Sequence, residues 1–83
     1  MNKILVSVYV PSINKNYDVY IPFKIKFYEV VKIVAAMIEE ISERNYIATD
    51  AVVLCEKSTG IIYNLNLSSE ELGLRNGSKL ILI

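Results

Sequence analysis

Apolar and polar residues alternate at the start of the chain, which predicts an opening pair of β-strands. In residues 4–10, Ile4, Val6, Val8 and Val10 fall on one face and Leu5, Ser7 and Tyr9 on the other. A second alternation covers residues 17–21, after a turn at residues 11–16 that contains Pro, Ser and Asn. Period-two spacing of β-branched and aromatic residues is typical of strands, and two such segments around a short polar turn predict a hairpin. Pro22 ends the second strand because it has no N–H to donate.

The apolar spacing then changes to three and four residues, which predicts a helix over residues 26–44. Its apolar stripe comprises Val30, Val31, Val34, Met37, Ile38 and Ile41. The start of this segment carries no Ser, Thr, Asp or Asn that could cap a helix. At its far end, we expect Asn45 to provide a left-handed cap.

The second half of the chain predicts short strands joined by tight turns. We expect strands at residues 51–56, 61–63 and 78–83, with a turn at residues 57–60 between the first two. Ser68 and Glu71 match the capping-box pattern, which predicts a short helix that Gly73 ends. Asn76-Gly77 predicts the last tight turn.

The predicted element order is β-β-α-β-β-(short helix)-β, and it indicates the α+β class. We expect one domain over residues 1–83, because 83 residues suffice for only one small core. A mixed sheet of four to five strands would pack on the single helix. The last strand would return beside the first.

A single helix can cover only one face of this sheet. The predicted inner face comprises Ile4, Val6, Val8, Val10, Val19, Ile21, Val52, Leu54, Leu80 and Leu82. The predicted outer face comprises Leu5, Ser7, Tyr9, Asp18, Tyr20, Val53, Cys55, Lys79, Ile81 and Ile83. An uncovered face is usually polar, and a contiguous apolar patch commonly marks an interface. We therefore predict a protein-interaction surface of Leu5, Tyr9, Tyr20, Val53, Cys55, Ile81 and Ile83, against the alternative of scattered surface hydrophobic residues.

The charge balance provides no pattern for nucleic-acid binding. Nine basic and nine acidic residues give a formal net charge of zero, so no basic groove accompanies the six tyrosines. No apolar stretch approaches the roughly 20 residues that span a bilayer, so we expect no direct membrane insertion. The single cysteine fits a reducing cytosol.

The sequence also offers little for catalysis or cofactor binding. Because the chain contains no histidine, Cys55 lacks the usual base for a nucleophilic thiol. Residues 57–60 lack the spacing of a phosphate-binding loop, and the three glycines do not form a dinucleotide fingerprint. The acids Glu39, Glu40 and Glu43 favour a solvated helix face over a metal site. We expect no catalytic residue, no cofactor and no metal.

Several segments resemble known families. The element order, with Leu67, Leu72-Gly73-Leu74, Asn76-Gly77-Ser78 and Leu80 at their spacings, resembles the β-grasp, ubiquitin-like superfamily. Within it, the chain is most similar to the YukD-like (EsaB-like) family of type VII, or ESX-like, secretion in Gram-positive bacteria. The segments that carry this resemblance are Ile4 to Val10, Asn16-Tyr17-Asp18, Leu54-Cys55-Glu56-Lys57 and Glu71 to Leu80.

The resemblance implies a non-catalytic accessory or regulatory protein of the cytoplasm. Its partners would be proteins, chiefly membrane-bound components of the secretion machinery, and self-association as a homo-oligomer is a further expectation. The alternative is a generic β-grasp interaction or oligomerisation module in another pathway. A sulfur carrier or conjugated modifier would need a C-terminal Gly-Gly, and the sequence instead ends in a predicted strand. We therefore expect binding without conjugation.

Overall fold

The computed structural model describes residues 2–83, and Met1, the first residue of the predicted domain, lies outside the described residues. The strands are β1 (Lys3–Val10), β2 (Lys15–Pro22), β3 (Leu54–Glu56) and β4 (Lys79–Leu82), and the helix α1 comprises Phe27–Ile41. A short 3-10 helix, Pro11–Ile13, joins β1 to β2. Asn14 completes that connection in a left-handed conformation, with φ of 51°.

The four strands form one mixed sheet in the order β2-β1-β4-β3. β1 pairs antiparallel with β2 and parallel with β4, and β3 pairs antiparallel with β4. The predicted return of the last strand to the first is therefore confirmed. Predicted inner residues pair with one another, as in Ile4 with Ile21, Val8 with Leu80, and Leu54 with Leu82.

The core lies between this inner sheet face and α1. All the predicted inner residues are buried except Val52, which is partly buried. α1 contributes its own buried face, which comprises Phe27, Val30, Val31, Val34, Ala35 and Ile38. A shift of register by one residue would move the whole aliphatic set to solvent, so this burial determines the register.

The helix is shorter than predicted, and its cap is not at Asn45. α1 begins at Phe27 and ends at Ile41, and the left-handed residues after it are Glu43, with φ of 54°, and Arg44, with φ of 64°. The Glu39 side chain explains this turn, because its carboxylate accepts a hydrogen bond from the Ala48 N–H at 2.8 Å and lies 3.3 Å from the Arg44 guanidinium. These contacts bend the chain back earlier than the sequence pattern indicates.

The strands of the second half are also shorter than predicted. β3 contains only Leu54–Glu56, and the expected strand at residues 61–63 forms a single bridge between Cys55 and Ile62. Two hydrogen bonds hold this bridge, from the Glu56 N–H to the Ile61 oxygen at 2.9 Å and from the Tyr63 N–H to the Leu54 oxygen at 3.3 Å. The sheet of residues 2–83 therefore has four strands.

The predicted capping box forms, but it caps a series of turns instead of a helix. The Ser68 N–H donates to the Glu71 carboxylate at 2.9 Å, and the Glu71 N–H donates to the Ser68 hydroxyl at 3.1 Å. Gly73 then adopts a left-handed conformation with φ of 77°. Because only Gly adopts such angles without strain, this position turns the chain toward β4.

The turn before β4 is attached to β1 by two hydrogen bonds at one residue. The Leu5 N–H donates to the Asn76 side-chain oxygen at 2.8 Å, and the Gly77 N–H donates to the Leu5 carbonyl oxygen at 2.8 Å. These contacts extend the parallel pairing of β1 and β4 to the residues just before the start of β4. They place β4 in the centre of the sheet.

Two adjacent serines give a matched test of this region. Ser68 is a cap, whereas the fully buried Ser69 hydroxyl makes no hydrogen bond among residues 2–83. We expect Ser68→Ala to lower the free energy of unfolding by about 1 kcal/mol. Ser69→Ala should leave it unchanged or raise it, because the substitution removes a desolvated hydroxyl that has no partner. Urea unfolding measures both, and equal losses from the two variants would contradict this account of the turn.

Candidate interaction surface

The outer face of the sheet consists of rows of paired side chains. Leu5 pairs with Tyr20 in one row, and Tyr9, Ile81 and Cys55 pair in another. Between these rows lies a polar row, in which Ser7 pairs with Asp18 and with Lys79. The predicted apolar face is therefore divided into two parts by polar residues.

The predicted interaction residues differ in accessibility. Ile83 is 63% exposed, Tyr20 is 55% exposed and Leu5 is 36% exposed. Tyr9, Val53 and Ile81 are partly buried. These six residues can contribute surface to a partner, and the exposed Ile83 offers the most.

Cys55 was predicted to belong to this accessible surface, and that expectation needs correction because the residue is only 3% exposed. It lies in β3 between Ile81 on one side and Ile62 on the other. Flanking chain on both sides leaves little of the thiol open to solvent. Cys55 therefore contributes to the support of the surface and not to the surface itself.

An apolar groove of about 580 Å³ lies between α1 and the edge of the sheet at β3. Tyr28, Val31 and Ala35 line it from the helix, and Val52, Ile62 and Leu65 line it from the other wall. Three of these side chains are also well exposed, with 57% for Ile62, 45% for Leu65 and 45% for Tyr28. The groove gives the structure a second apolar region that the sequence did not predict.

One residue that lines the groove also pairs with Ile83, the residue after β4. Val53 lines the groove and exchanges two backbone hydrogen bonds with Ile83, each of 3.0 Å. We call the combined region of Tyr28, Val53, Ile62, Leu65 and Ile83 the edge surface. The signal in the sequence was the excess of large apolar residues at 61–65, in a segment too short to bury them all.

Two tyrosines have a raised pKa because their side chains are partly buried. Burial, with smaller effects from Glu56 and Cys55, raises the pKa of Tyr63 to about 12. Burial and the nearby Glu39 carboxylate raise the pKa of Tyr46. Both phenols therefore stay protonated at neutral pH, and the Tyr63 ring packs edge-on against Phe27 with 5.1 Å between the ring centres.

A metal site needs several ligating side chains together, and a membrane span needs a long apolar helix. Within residues 2–83, no group of three His, Cys, Asp or Glu side chains is arranged to hold a metal ion. Over the same residues, no helix has both the length and the apolar character needed to cross a bilayer.

Comparison with known proteins identifies the architecture. No family model matches the chain, and no curated protein matches it. Among solved structures, the ubiquitin-like domain of the Mycobacterium tuberculosis type VII secretion protein ECCD1 is similar with a TM-score of 0.79 and 16% identity, over 100% of this chain and 99% of that domain. The chain has the ubiquitin-like β-grasp fold. The similarity at this identity shows the fold alone.

Two other structures with this fold show how widely it is used. A chain of the MycP5-free ESX-5 inner membrane complex is similar with a TM-score of 0.72 and 18% identity, over all of this protein and 21% of that chain. The ubiquitin-like domain of Plasmodium falciparum Dsk2 gives a TM-score of 0.72 and 25% identity, over 96% of this chain and 95% of that one. The narrower resemblance to the YukD-like family stays a prediction.

The raised pKa of Tyr63 predicts how stability changes in alkali. The unfolded state releases the phenolic proton near pH 10, whereas the folded state holds it until about pH 12. The unfolded state therefore binds fewer protons in this range, and the free energy of unfolding falls as the pH rises from 10 to 12. Tyr63→Phe should make this fall shallower in urea unfolding measured at several pH values. The same slope in both proteins would contradict the assignment.

Proposed function

We propose that this chain is a non-catalytic ubiquitin-like accessory or regulatory protein of a type VII (ESX-like) secretion system. It acts through non-covalent protein contacts and not through conjugation. The observation that carries this proposal is the edge surface, an exposed apolar region on a fold that is also found in ECCD1. Similarity to a chain of an ESX-5 inner membrane complex supports the same setting.

The exposure of the edge surface favours a protein partner. Isolated surface hydrophobic residues are ordinary, but here Ile62, Leu65 and Tyr28 border one groove. Complete burial of an aliphatic side chain contributes roughly 1.5–3 kcal/mol. A partner that buried several of these side chains together would therefore gain several kcal/mol of binding free energy.

The proposed partner is a membrane-bound component of the secretion machinery, and the proposed location is the cytoplasmic side of that membrane. The neighbours that support this setting are parts of an ESX-5 inner membrane complex and an ESX-3 core complex. The edge surface would bind an apolar segment of the component, with the core of the domain as a rigid support. Whether the role is structural or regulatory depends on what that contact changes in the machinery.

Substitution on the edge surface tests the proposal. We expect Ile62→Glu combined with Ile83→Glu to reduce capture of secretion-machinery membrane proteins at least tenfold, because it places two charges in an apolar contact. Both side chains are more than half exposed, so the domain should remain folded. Ile41→Glu is the matched control, since Ile41 is 50% exposed and does not line the groove. Affinity capture from the cells that make the protein, quantified by mass spectrometry, gives the readout.

Unchanged capture by the double variant would overturn the role of the edge surface. Capture of only unrelated soluble proteins by the unmodified chain would overturn the secretion setting. An equal loss from Ile41→Glu would show that any added negative charge disturbs binding, which also contradicts a localised contact. Circular dichroism of each variant confirms that the comparison is made between folded proteins.

A second candidate function is self-association through the free edge of β2. The Phe23 N–H donates to the Asn2 oxygen, so these two residues form a hydrogen-bonded pair. In an antiparallel ladder, hydrogen-bonded pairs alternate with pairs that are not hydrogen-bonded. The backbone groups of Asn16, Asp18 and Tyr20 therefore point away from β1. Such an edge is a template for pairing with a second copy. Lys15, Asp18 and Pro22 on the same strand disfavour that pairing, so this function is the weaker of the two. Analytical ultracentrifugation tests it, and a monomer at all concentrations would exclude it.

A further inference from the structure

The charges of this chain cancel in sum but not in space. The outer sheet face carries Lys3, Lys57 and Lys79, with Asp18 as the acid among its strand residues. Arg75 lies in the turn that leads into β4. On the opposite side, residues 27–44 contain four acids and two bases. The molecule therefore has a cationic sheet side and an anionic helix side.

Three of these cations lie around one depression. An open cavity of about 790 Å³ lies between residues 56–58 and residues 72–79, and Lys57, Arg75 and Lys79 line it. Ser78 and Asn76 also line it. The Ser78 oxygen accepts a hydrogen bond from the Arg75 N–H at 3.0 Å, which leaves the hydroxyl proton free for a ligand. The depression thus combines positive charge with hydrogen-bond donors.

In the part of the chain that the structure describes, the cations of this depression form no ion pair with a carboxylate. Within residues 2–83, the ion pairs join Lys24 to Glu70 and Arg44 to Glu39, and none involves Lys57, Arg75 or Lys79. The one carboxylate in the lining, that of Glu56, accepts a hydrogen bond from the Thr59 hydroxyl at 2.7 Å. The lining therefore carries three cationic side chains against one carboxylate, and its net charge is positive.

The depression opens toward apolar surface as well. The Lys57 ammonium lies 5.2 Å from the centre of the Tyr9 ring. Because β4 lies between β3 and β1, the Lys57 side chain crosses the outer face near Ile81, the residue that pairs with Tyr9. A carboxylate bound to the Lys57 ammonium would therefore also lie near the Tyr9 ring.

We propose that this depression binds an acidic segment of a protein partner, with an apolar side chain next to its carboxylates. The cations are exposed and set around an open surface, which suits several spaced carboxylates better than one enclosed small anion. Charges arranged in this way contribute mainly to the association rate and to the choice of partner. The inference deepens the proposed function, because it names the chemistry of a partner, but it concerns a surface separate from the edge groove.

The test measures binding of two labelled peptides to the purified chain by fluorescence anisotropy. One peptide alternates glutamate with leucine, and the other replaces each glutamate with glutamine. We expect the acidic peptide to bind more tightly, and its affinity to fall when salt is raised from about 0.05 to about 0.5 M. Lys57→Ala with Lys79→Ala should weaken its binding about fivefold, a loss typical of two exposed charge contacts. Lys15→Ala with Lys26→Ala is the control of equal charge and should have little effect.

Each other outcome overturns the inference. Equal binding of the two peptides, or an equal loss in the two double variants, would show that this depression does not recognise carboxylates. Binding of phosphatidylserine vesicles that depends on Lys57 and Lys79, without binding of the acidic peptide, would assign the cations to a lipid surface. Displacement of the peptide by inorganic phosphate at constant ionic strength, with no displacement by the same concentration of chloride, would assign them to a small anion. Any of these results would leave capture of secretion proteins through the edge surface unaffected, so the two proposals fail separately.

Discussion

One helix covers one face of a four-stranded sheet, and the other face must meet water or a partner. Residues 2–83 supply a single α-helix, of 15 residues, and no second layer to cover the sheet. The alternate aliphatic residues of β1 face the helix, where Val6, Val8 and Val10 have no exposed surface. The apolar residues left over include Leu5, Tyr20 and Ile83 on the outer face, and Ile62 and Leu65 beside the sheet edge.

The position of β4 in the sheet determines where the exposed apolar residue Ile83 lies. β4 is inserted between β1 and β3, and the contacts of Leu5 with Asn76 and Gly77 hold its entry. This arrangement brings Ile83 beside Val53 at the end of β3, next to the groove along α1. It also brings Arg75 and Lys79 beside Lys57. The edge surface and the cationic depression therefore both depend on the position of β4 between β1 and β3.

The sequence predicted those parts of the fold that depend on local pattern. Alternation identified β1 and its buried face, and the capping box at Ser68 and Glu71 formed as expected. The end of the helix was not predictable in this way, because it depends on Glu39 reaching Ala48, nine residues further along the chain. The spacing of apolar residues cannot predict a hydrogen bond between a side chain and a distant backbone group.

The interaction surface was predicted only in part for a similar reason. Period two places Cys55 on the outer face, but its burial depends on the bridge to Ile62, which no local pattern specifies. The sequence predicted a strand at residues 61–63 but assigned none of its residues to the outer face. With only one bridge formed, Ile62 and the neighbouring Leu65 remain exposed and become part of the candidate surface.

Photo-crosslinking in living cells tests the central claim most directly. A benzophenone amino acid at position 62, on the edge surface, is compared with the same amino acid at position 41, at the end of α1. The account predicts covalent adducts with membrane proteins of the type VII secretion machinery from position 62, and none from position 41. Adducts with those proteins from position 41 alone, or no such adducts from position 62, would contradict it.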